Sequence, residues 1–259
     1  MTKLDIFRSG SLINCAKVFT FIIFGFVWIN PAFPSEVNRS WQNALVFSPL
    51  AEETQNIDVI TEGYKGPIIL YMHGCVGIGS PARQWGRMLA NDGFTVVLMD
   101  AFSIPDHPNA CEGVHKGSNR KLRKIAVKNR KAEIRYARAK FHELKILPDE
   151  KVILMGQSQG GRAVTRVSAR GFAAVVSTGF NCKNGKEIKT APDIPVLFVQ
   201  FDQDEYLVRD GKNCERSGVL QDALRFSQTF EGDAHDPIEN SEAVDLIIEF
   251  ALKYSRVNS

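Results

Sequence analysis

Short apolar runs alternate with longer amphipathic segments along most of the chain, after a polar lead-in. Five of the runs have the length and composition of strands buried on both faces: 66–74, 94–100, 151–156, 172–179 and 194–202. Other segments have the apolar spacing of helices: 81–93, 120–147, the segment that opens at Ser158, and 243–255. This alternation indicates βαβ units. The pattern therefore predicts an α/β fold with a mostly parallel central sheet and helices on both faces.

The start of the chain has a different pattern from the rest. An unbroken apolar run covers 18–29, and basic residues precede it: Lys3, Arg8 and Lys17. The run is too short to span a bilayer comfortably but has the length of a signal-peptide core. We interpret 1–32 as a signal peptide that ends at Ala32, which predicts an exported protein, periplasmic or secreted. The alternative is an uncleaved membrane anchor. Residues 33–259 are then one domain.

Length and charge narrow the class of protein. A chain of 259 residues with 44% hydrophobic residues can bury one sizeable core. The net charge of +3 argues against nucleic acid as a partner. Basic residues concentrate in 116–140, where Glu133 is the only acid. We interpret this segment as a solvated helix face beside an apolar stripe that includes Ile125. The alternative is attraction to an anionic substrate or a weak association with an anionic envelope surface.

Export would allow the cysteines to form disulfides. Once Cys15 is removed with the signal peptide, an even set remains: Cys75, Cys111, Cys182 and Cys214. None of them has C-x-x-C spacing, so a structural zinc site is not expected. Buried or free thiols are the alternative to disulfides.

The segment GQSQGG, 156–161, sets Ser158 between Gly156 and Gly160 where a strand is predicted to give way to a helix. A serine at such a junction can simply cap the helix. In a parallel sheet, however, ligands bind outside the carboxyl ends of the strands, and Ser158 follows such an end. We therefore interpret Ser158 as a nucleophile, with helix capping as the alternative.

A nucleophilic serine needs a histidine base and a carboxylate that orients the histidine. His235 lies in a loop before the last predicted helix, from which it can reach across the strand ends. The other histidines fit a turn, a long loop or a helix interior: His73, His107, His115 and His142. The carboxylate is Asp202 or Asp204, after the run 194–202. The resulting order of serine, aspartate and histidine is that of α/β-hydrolases.

From about residue 60 onward the chain resembles the α/β-hydrolase superfamily, and within it the dienelactone hydrolase family. The likeness rests on YMHGCVG, LANDGFTVVLMDAF, GQSQGG, the D-x-D after the late strand and GDAHDP. In that family the acid follows a G-x-x-D pattern. Asp204 occupies the acid position, although Phe201 replaces the glycine, so the resemblance favours Asp204 over Asp202. Typical members carry a cysteine nucleophile, and Ser158 departs from this in a way that points to general ester hydrolysis.

The resemblance implies an α/β-hydrolase fold and a hydrolase of a carboxylic ester or lactone. Large insertions between the predicted strands are lacking, so no large lid is expected, which favours a small or accessible substrate. With the predicted signal peptide, the expected protein is an exported hydrolase. Ser158, His235 and Asp204 would form the triad and an acyl-enzyme would be the intermediate. Backbone amides of Cys75 and Gln159 would hold the oxyanion. No metal and no organic cofactor would be required. Peptide or amide cleavage by the same triad is one alternative, and a non-catalytic binding protein with this fold is another.

The topology of the resembled fold also favours one pairing of the cysteines. Cys75 and Cys111 would follow neighbouring strands, as would Cys182 and Cys214. The resemblance therefore implies two disulfides, Cys75–Cys111 and Cys182–Cys214.

Overall fold

The computed structural model describes residues 35–51, 53–109, 111, 120–146, 151–180, 182, 188–208, 214 and 224–255. All of them belong to one compact unit, Phe33–Ser259. The predicted signal peptide lies outside the described residues, so its assignment stays a prediction. None of the helices in the described part combines the length and hydropathy that a membrane span requires.

A single sheet of seven strands runs through the described residues. The strands are β1 (Leu45–Phe47), β2 (Ile68–Met72), β3 (Thr95–Leu98), β4 (Val152–Gln157), β5 (Ala174–Thr178), β6 (Val196–Phe201) and β7 (Arg225–Phe230). Their order is β1-β3-β2-β4-β5-β6-β7. β1 pairs with β3 in the antiparallel sense, and all other neighbours are parallel. The predicted mostly parallel sheet is therefore confirmed.

Helices cover both faces of this sheet. They are α1 (Ser35–Gln42), α2 (Ser80–Asn91), α3 (Arg120–Glu143), α4 (Gln159–Val164), α5 (Glu205–Val208) and α6 (Ser241–Tyr254). Because successive side chains of a strand point to opposite faces, Leu70 and Met72 of β2 pack in one apolar cluster with α1, α3 and α4. Ile69 and Tyr71 pack in a second cluster with α2 and α6. The central strands are therefore buried on both faces, as their continuous apolar runs predict.

The structure differs from the hydrophobic pattern at the edges of the sheet. The polar lead-in contains α1 and the edge strand β1, and the alternating run RFSQTF forms the other edge strand, β7. Edge strands are short or half-exposed, so they lack the continuous apolar run that marks a central strand. The expected absence of a large lid stays a prediction, because parts of the connections concerned lie outside the described residues: 112–119, 183–187, 209–213 and 215–223.

The interpretation of α3 as a solvated basic face beside an apolar stripe is wrong at particular positions. Arg130 and Glu133 are completely buried, whereas Ile125 is 37% exposed. The two charged side chains form a buried pair, with 3.5 Å between Arg130 Nη1 and Glu133 Oε2. A buried charge with a partner can occupy an interior position that hydropathy assigns to an apolar residue.

Two disulfides join loops at the carboxyl edge of the sheet. Cys75–Cys111 links the turn after β2 to the segment after β3, with 5.3 Å between the Cα atoms. Cys182–Cys214 links the segment after β5 to the segment after β6, with 4.8 Å between the Cα atoms. Both pairs have the connectivity that the sequence resemblance implies. Each cross-links a pair of neighbouring parallel strands at the edge where ligands bind in open α/β sheets.

Peptide mapping of the unreduced, alkylated protein should recover one peptide pair that contains Cys75 and Cys111 and another that contains Cys182 and Cys214. Reduction should lower the free energy of unfolding by about 2–4 kcal/mol for each disulfide, because each closes a loop in the unfolded chain. Four thiols that alkylate without reduction, or a peptide that links Cys75 to Cys182, would contradict this pairing.

Candidate active site

Ser158 occupies a sharp turn between β4 and α4. Its backbone has φ 54° and ψ −110°, a conformation that costs a non-glycine residue on the order of 1–3 kcal/mol. The amide of Ser158 donates to the carbonyl of Thr178 on β5, at 2.8 Å. Its side chain makes no capping hydrogen bond to α4, so the helix-capping interpretation is wrong. The turn instead presents the hydroxyl at the carboxyl edge of the sheet, as in a nucleophile elbow.

Glycines on both sides of Ser158 allow this turn to form. A Cβ atom at Gly160 would lie 1.8 Å from the carbonyl oxygen of Met72, the last residue of β2. A Cβ atom at Gly156 would lie 2.5 Å from the carbonyl carbon of Gly160. Any side chain at these two positions would therefore push α4 away from β2 and β4.

Ser158, His235 and Asp204 form a continuous hydrogen-bonded row. The distance from Ser158 Oγ to His235 Nε2 is 2.8 Å, and that from His235 Nδ1 to Asp204 Oδ2 is 2.7 Å. A carboxylate only accepts, so Nδ1 carries the proton and Nε2 is left to accept from the hydroxyl. The Asp204 side chain is only 1% exposed, and its Oδ1 accepts from the amide of Tyr206 at 2.9 Å. The arrangement can deprotonate the Ser158 hydroxyl.

Asp202 and Asp204 lie in different environments, although both follow β6. The carboxylate that contacts His235 belongs to Asp204. Asp202 Oδ1 accepts from the amide of Gly232 at 2.9 Å, in the loop that carries His235. Asp202 therefore braces that loop, and the geometry agrees with the preference for Asp204.

The backbone around His235 is held by residues that the sequence analysis did not assign. Trp85 Nε1 donates to Asp236 Oδ1 at 2.7 Å, and Gln157 Nε2 donates to the carbonyl of His235 at 3.3 Å. Burial raises the pKa of the Asp236 carboxyl. A sequence signal did exist, since Asp236 directly follows the histidine in GDAHDP, but its tryptophan partner lies on α2, far away along the chain.

A cavity of about 410 Å³ opens in front of Ser158. Its walls are mostly apolar or aromatic, and the ring of Tyr206 lies over that of His235 with 4.4 Å between the centroids. Two cations also line it, Arg123 from α3 and Arg162 from α4. Cys75 and Gln159 border the same cavity beside Ser158. Their predicted role as oxyanion donors stays a prediction.

The described residues contain no group of three histidine, cysteine or acidic side chains placed to hold a metal ion. The expectation of cofactor-free chemistry stays a prediction.

Comparison with known proteins gives structural matches only. No protein-family model and no curated protein matches the chain. A Klebsiella pneumoniae protein superposes with a TM-score of 0.57 at 13% identity, over 83% of this chain and 98% of its own. A dienelactone hydrolase from Anabaena variabilis gives a TM-score of 0.51 at 18% identity, over 75% and 87% of the two chains. An esterase from Thermogutta terrifontis gives 0.50 at 16% identity, over 81% and 88%. The chain is similar to these proteins in fold, and that fold is the α/β-hydrolase fold.

Proposed function

We propose that the protein is a serine hydrolase that cleaves a small carboxylic ester or lactone. The observation that carries the proposal is the hydrogen-bonded row of Ser158, His235 and Asp204, which ends at a cavity in front of the serine hydroxyl. The names of the structural neighbours, an esterase and a dienelactone hydrolase, support ester rather than amide cleavage. A binding protein would have no use for a serine in a strained turn that bonds to a histidine.

The reaction proceeds in two steps through an acyl-enzyme. His235 takes the hydroxyl proton while Ser158 Oγ attacks the carbonyl carbon, and Asp204 stabilises the imidazolium that results. The amides of Cys75 and Gln159 hold the oxyanion. The C–O bond then breaks, and the alcohol leaves with the proton from His235. A water molecule, deprotonated by His235, then attacks the acyl carbon. The bond between this carbon and Ser158 Oγ breaks, and His235 returns the proton to Oγ as the carboxylic acid leaves.

Export is part of the proposal. Disulfides persist in oxidising compartments and are rare in the cytosol, so the two disulfides are compatible with a protein that residues 1–32 direct to the periplasm or outside the cell. A retained N-terminal anchor would place the domain in the same compartment.

The preferred substrate carries an anionic group on the part that fills the cavity. Arg123 and Arg162 both line the cavity, and Arg162 lies over the ring of Phe180 with 5.9 Å from Cζ to the centroid. Asp236 also lines the cavity, and its carboxylate accepts a hydrogen bond from Trp85. The association of 116–140 with an anionic envelope surface remains a separate prediction.

Replacing Ser158 or His235 by alanine should remove nearly all ester hydrolysis and leave the fold intact. Members of a triad act as a unit, so the double variant should be little slower than either single variant. The measurement is turnover of a panel of aryl and alkyl esters, with circular dichroism to check folding. If Ser158→Ala hydrolyses these esters as fast as the parent protein, the protein is not a serine hydrolase.

Asp204→Asn should lower kcat by several orders of magnitude, because an amide cannot hold the His235 tautomer that accepts the serine proton. Asp202→Asn is the matched control, since an amide oxygen can still accept from Gly232. Its kcat should fall by less than about tenfold. The reverse order of the two effects would show that Asp202 is the triad acid.

Arg123→Gln and Arg162→Gln should each lower kcat/KM roughly tenfold for an aryl ester with a terminal carboxylate, because each removes a charge-assisted contact. For an uncharged aryl butyrate, kcat/KM should change by less than about twofold. Lys128→Gln, an exposed change on the same helix, serves as control. Equal losses for both esters would contradict a preference for anionic substrates.

A further inference from the structure

Arg130 is buried in the middle of α3 and reaches the turn that follows β2. Its side chain is completely shielded from solvent. Its Nη2 lies 2.5 Å from His73 Nδ1 and 3.2 Å from the carbonyl oxygen of Gly74. Both partners directly precede Cys75, whose amide is one of the two proposed oxyanion donors. A residue of α3, outside the proposed triad, therefore contacts the turn that carries this proposed donor.

His73 lies between Arg130 and the Gly74 carbonyl as a neutral ring. His73 Nδ1 lies 2.5 Å from Arg130 Nη2 and 2.7 Å from the carbonyl oxygen of Gly74. A guanidinium only donates and a carbonyl only accepts, so the tautomer of His73 decides which of these two hydrogen bonds Nδ1 makes. Burial, together with the positive charge of Arg130, lowers the pKa of His73 well below its ordinary value, which keeps the imidazole neutral. The ring of Phe102 stacks against His73 with 5.9 Å between centroids. The neutral imidazole thus contacts both Phe102 and Arg130.

A buried ion pair contributes little to stability, because desolvation offsets its attraction. The charge of Arg130 is balanced by Glu133, which also accepts a hydrogen bond from Ser40 of α1. Such an arrangement is often no more stable than apolar residues of the same volume. Its placement against the turn after β2 therefore needs a reason other than stability.

The geometry of one peptide group supplies that reason. The carbonyl of Gly74 and the amide of Cys75 belong to the same trans peptide, so they point in opposite directions within one plane. Arg130 Nη2 and the amide of Gly77 both donate to this carbonyl, at 3.2 and 3.4 Å. Fixing the carbonyl fixes the direction of the Cys75 amide, and a cation at the oxygen end also polarises the N–H.

The same peptide lies beside the nucleophile. A Cβ atom at Gly74 would be 3.6 Å from Ser158 Cβ and 2.3 Å from Gln157 Oε1. The side chain of Cys75 is anchored separately, through its disulfide to Cys111. Hydrogen bonds to the Gly74 carbonyl and the disulfide of Cys75 therefore both restrain this donor, and among the restraining groups only Arg130 carries charge.

We propose that Arg130 is a positioning residue that aims and polarises the Cys75 amide toward the oxyanion formed at Ser158. This inference rests on the proposed hydrolase function. Loss of Arg130 weakens the binding of the transition state and leaves the binding of the uncharged ground-state ester almost unchanged.

The test compares Arg130→Met and Arg130→Lys with Arg225→Met. Arg225 is the matched control, because it is also buried and donates to backbone carbonyls, those of Thr190, Ala191 and Ile194, at the start of β7. Each variant is assayed for kcat and KM on an uncharged aryl ester and for inhibition by an aryl trifluoromethyl ketone, on which the serine forms an oxyanion. Thermal unfolding measures the structural cost of each change.

Arg130→Met should lower kcat about 100-fold and weaken the trifluoromethyl ketone by a similar factor, with KM changed less than about threefold. Arg130→Lys restores the charge on a shorter, non-planar group, so about a tenfold loss of kcat should remain. Arg225→Met should lower the unfolding temperature yet keep kcat within about threefold.

The proposal is overturned if the kcat of Arg130→Met stays within about threefold of the parent value, as is expected for Arg225→Met. If Arg130→Met does not fold, Arg130→Lys decides, and a kcat within about twofold of the parent overturns it. Failure of the hydrolase function itself has a different signature: the parent protein cleaves no ester in the panel, and a fluorophosphonate probe does not label Ser158. If the parent protein is active and Arg130→Met is equally active, the role of Arg130 is refuted and the hydrolase function stands.

Discussion

The site depends on one backbone contact, the approach of α4 to the end of β2. The space that a Cβ atom at Gly160 would need is taken by the carbonyl of Met72, so helix and strand meet without an intervening side chain. This approach brings the first turn of α4, with Ser158 before it, against the residues that follow β2. The serine and the Gly74–Cys75 peptide consequently share one cavity wall. A small separation of the two elements would pull the proposed nucleophile away from the proposed oxyanion donor, and catalysis is sensitive to displacements of this size.

Helix α3 packs against the sheet and also carries the buried charge of Arg130 to the turn after β2. Ile134, Ala137 and Phe141 pack in the apolar layer against the sheet, and that burial fixes the position of the helix. Arg130, one turn earlier, then projects its charge to the turn after β2 from a rigid support. A guanidinium on a surface loop could reach the same carbonyl, but it would lose side-chain entropy and be screened by water. On a packed helix the guanidinium is shielded from water and its rotamer is fixed once, on folding, at the cost of desolvation, which Glu133 and Ser40 offset in part.

Much of the architecture could be predicted from the sequence because the central strands are continuous apolar runs. The edge strands β1 and β7 could not be identified so clearly, since half-exposed residues break the run. Ser158, Asp204 and His235 were accessible to sequence reasoning because each follows a strand at the carboxyl edge. The contacts of Arg130 with His73 and of Trp85 with Asp236 join residues 57 and 151 positions apart. No local pattern encodes such pairs. Hydropathy assigns Arg130 to the solvent-exposed face of the helix, whereas its side chain is buried.

The charges at the site differ in their contact with solvent, and this has a consequence for ionic strength. The Asp204 side chain is almost fully buried, whereas Arg123 and Arg162 line an open cavity. At physiological ionic strength, mobile ions screen exposed charges beyond about 8 Å but hardly affect buried pairs. Added salt should therefore slow the capture of a charged substrate while the bond-breaking step proceeds unaltered. Varying the salt concentration would therefore distinguish the capture of the substrate from the bond-breaking step in this protein.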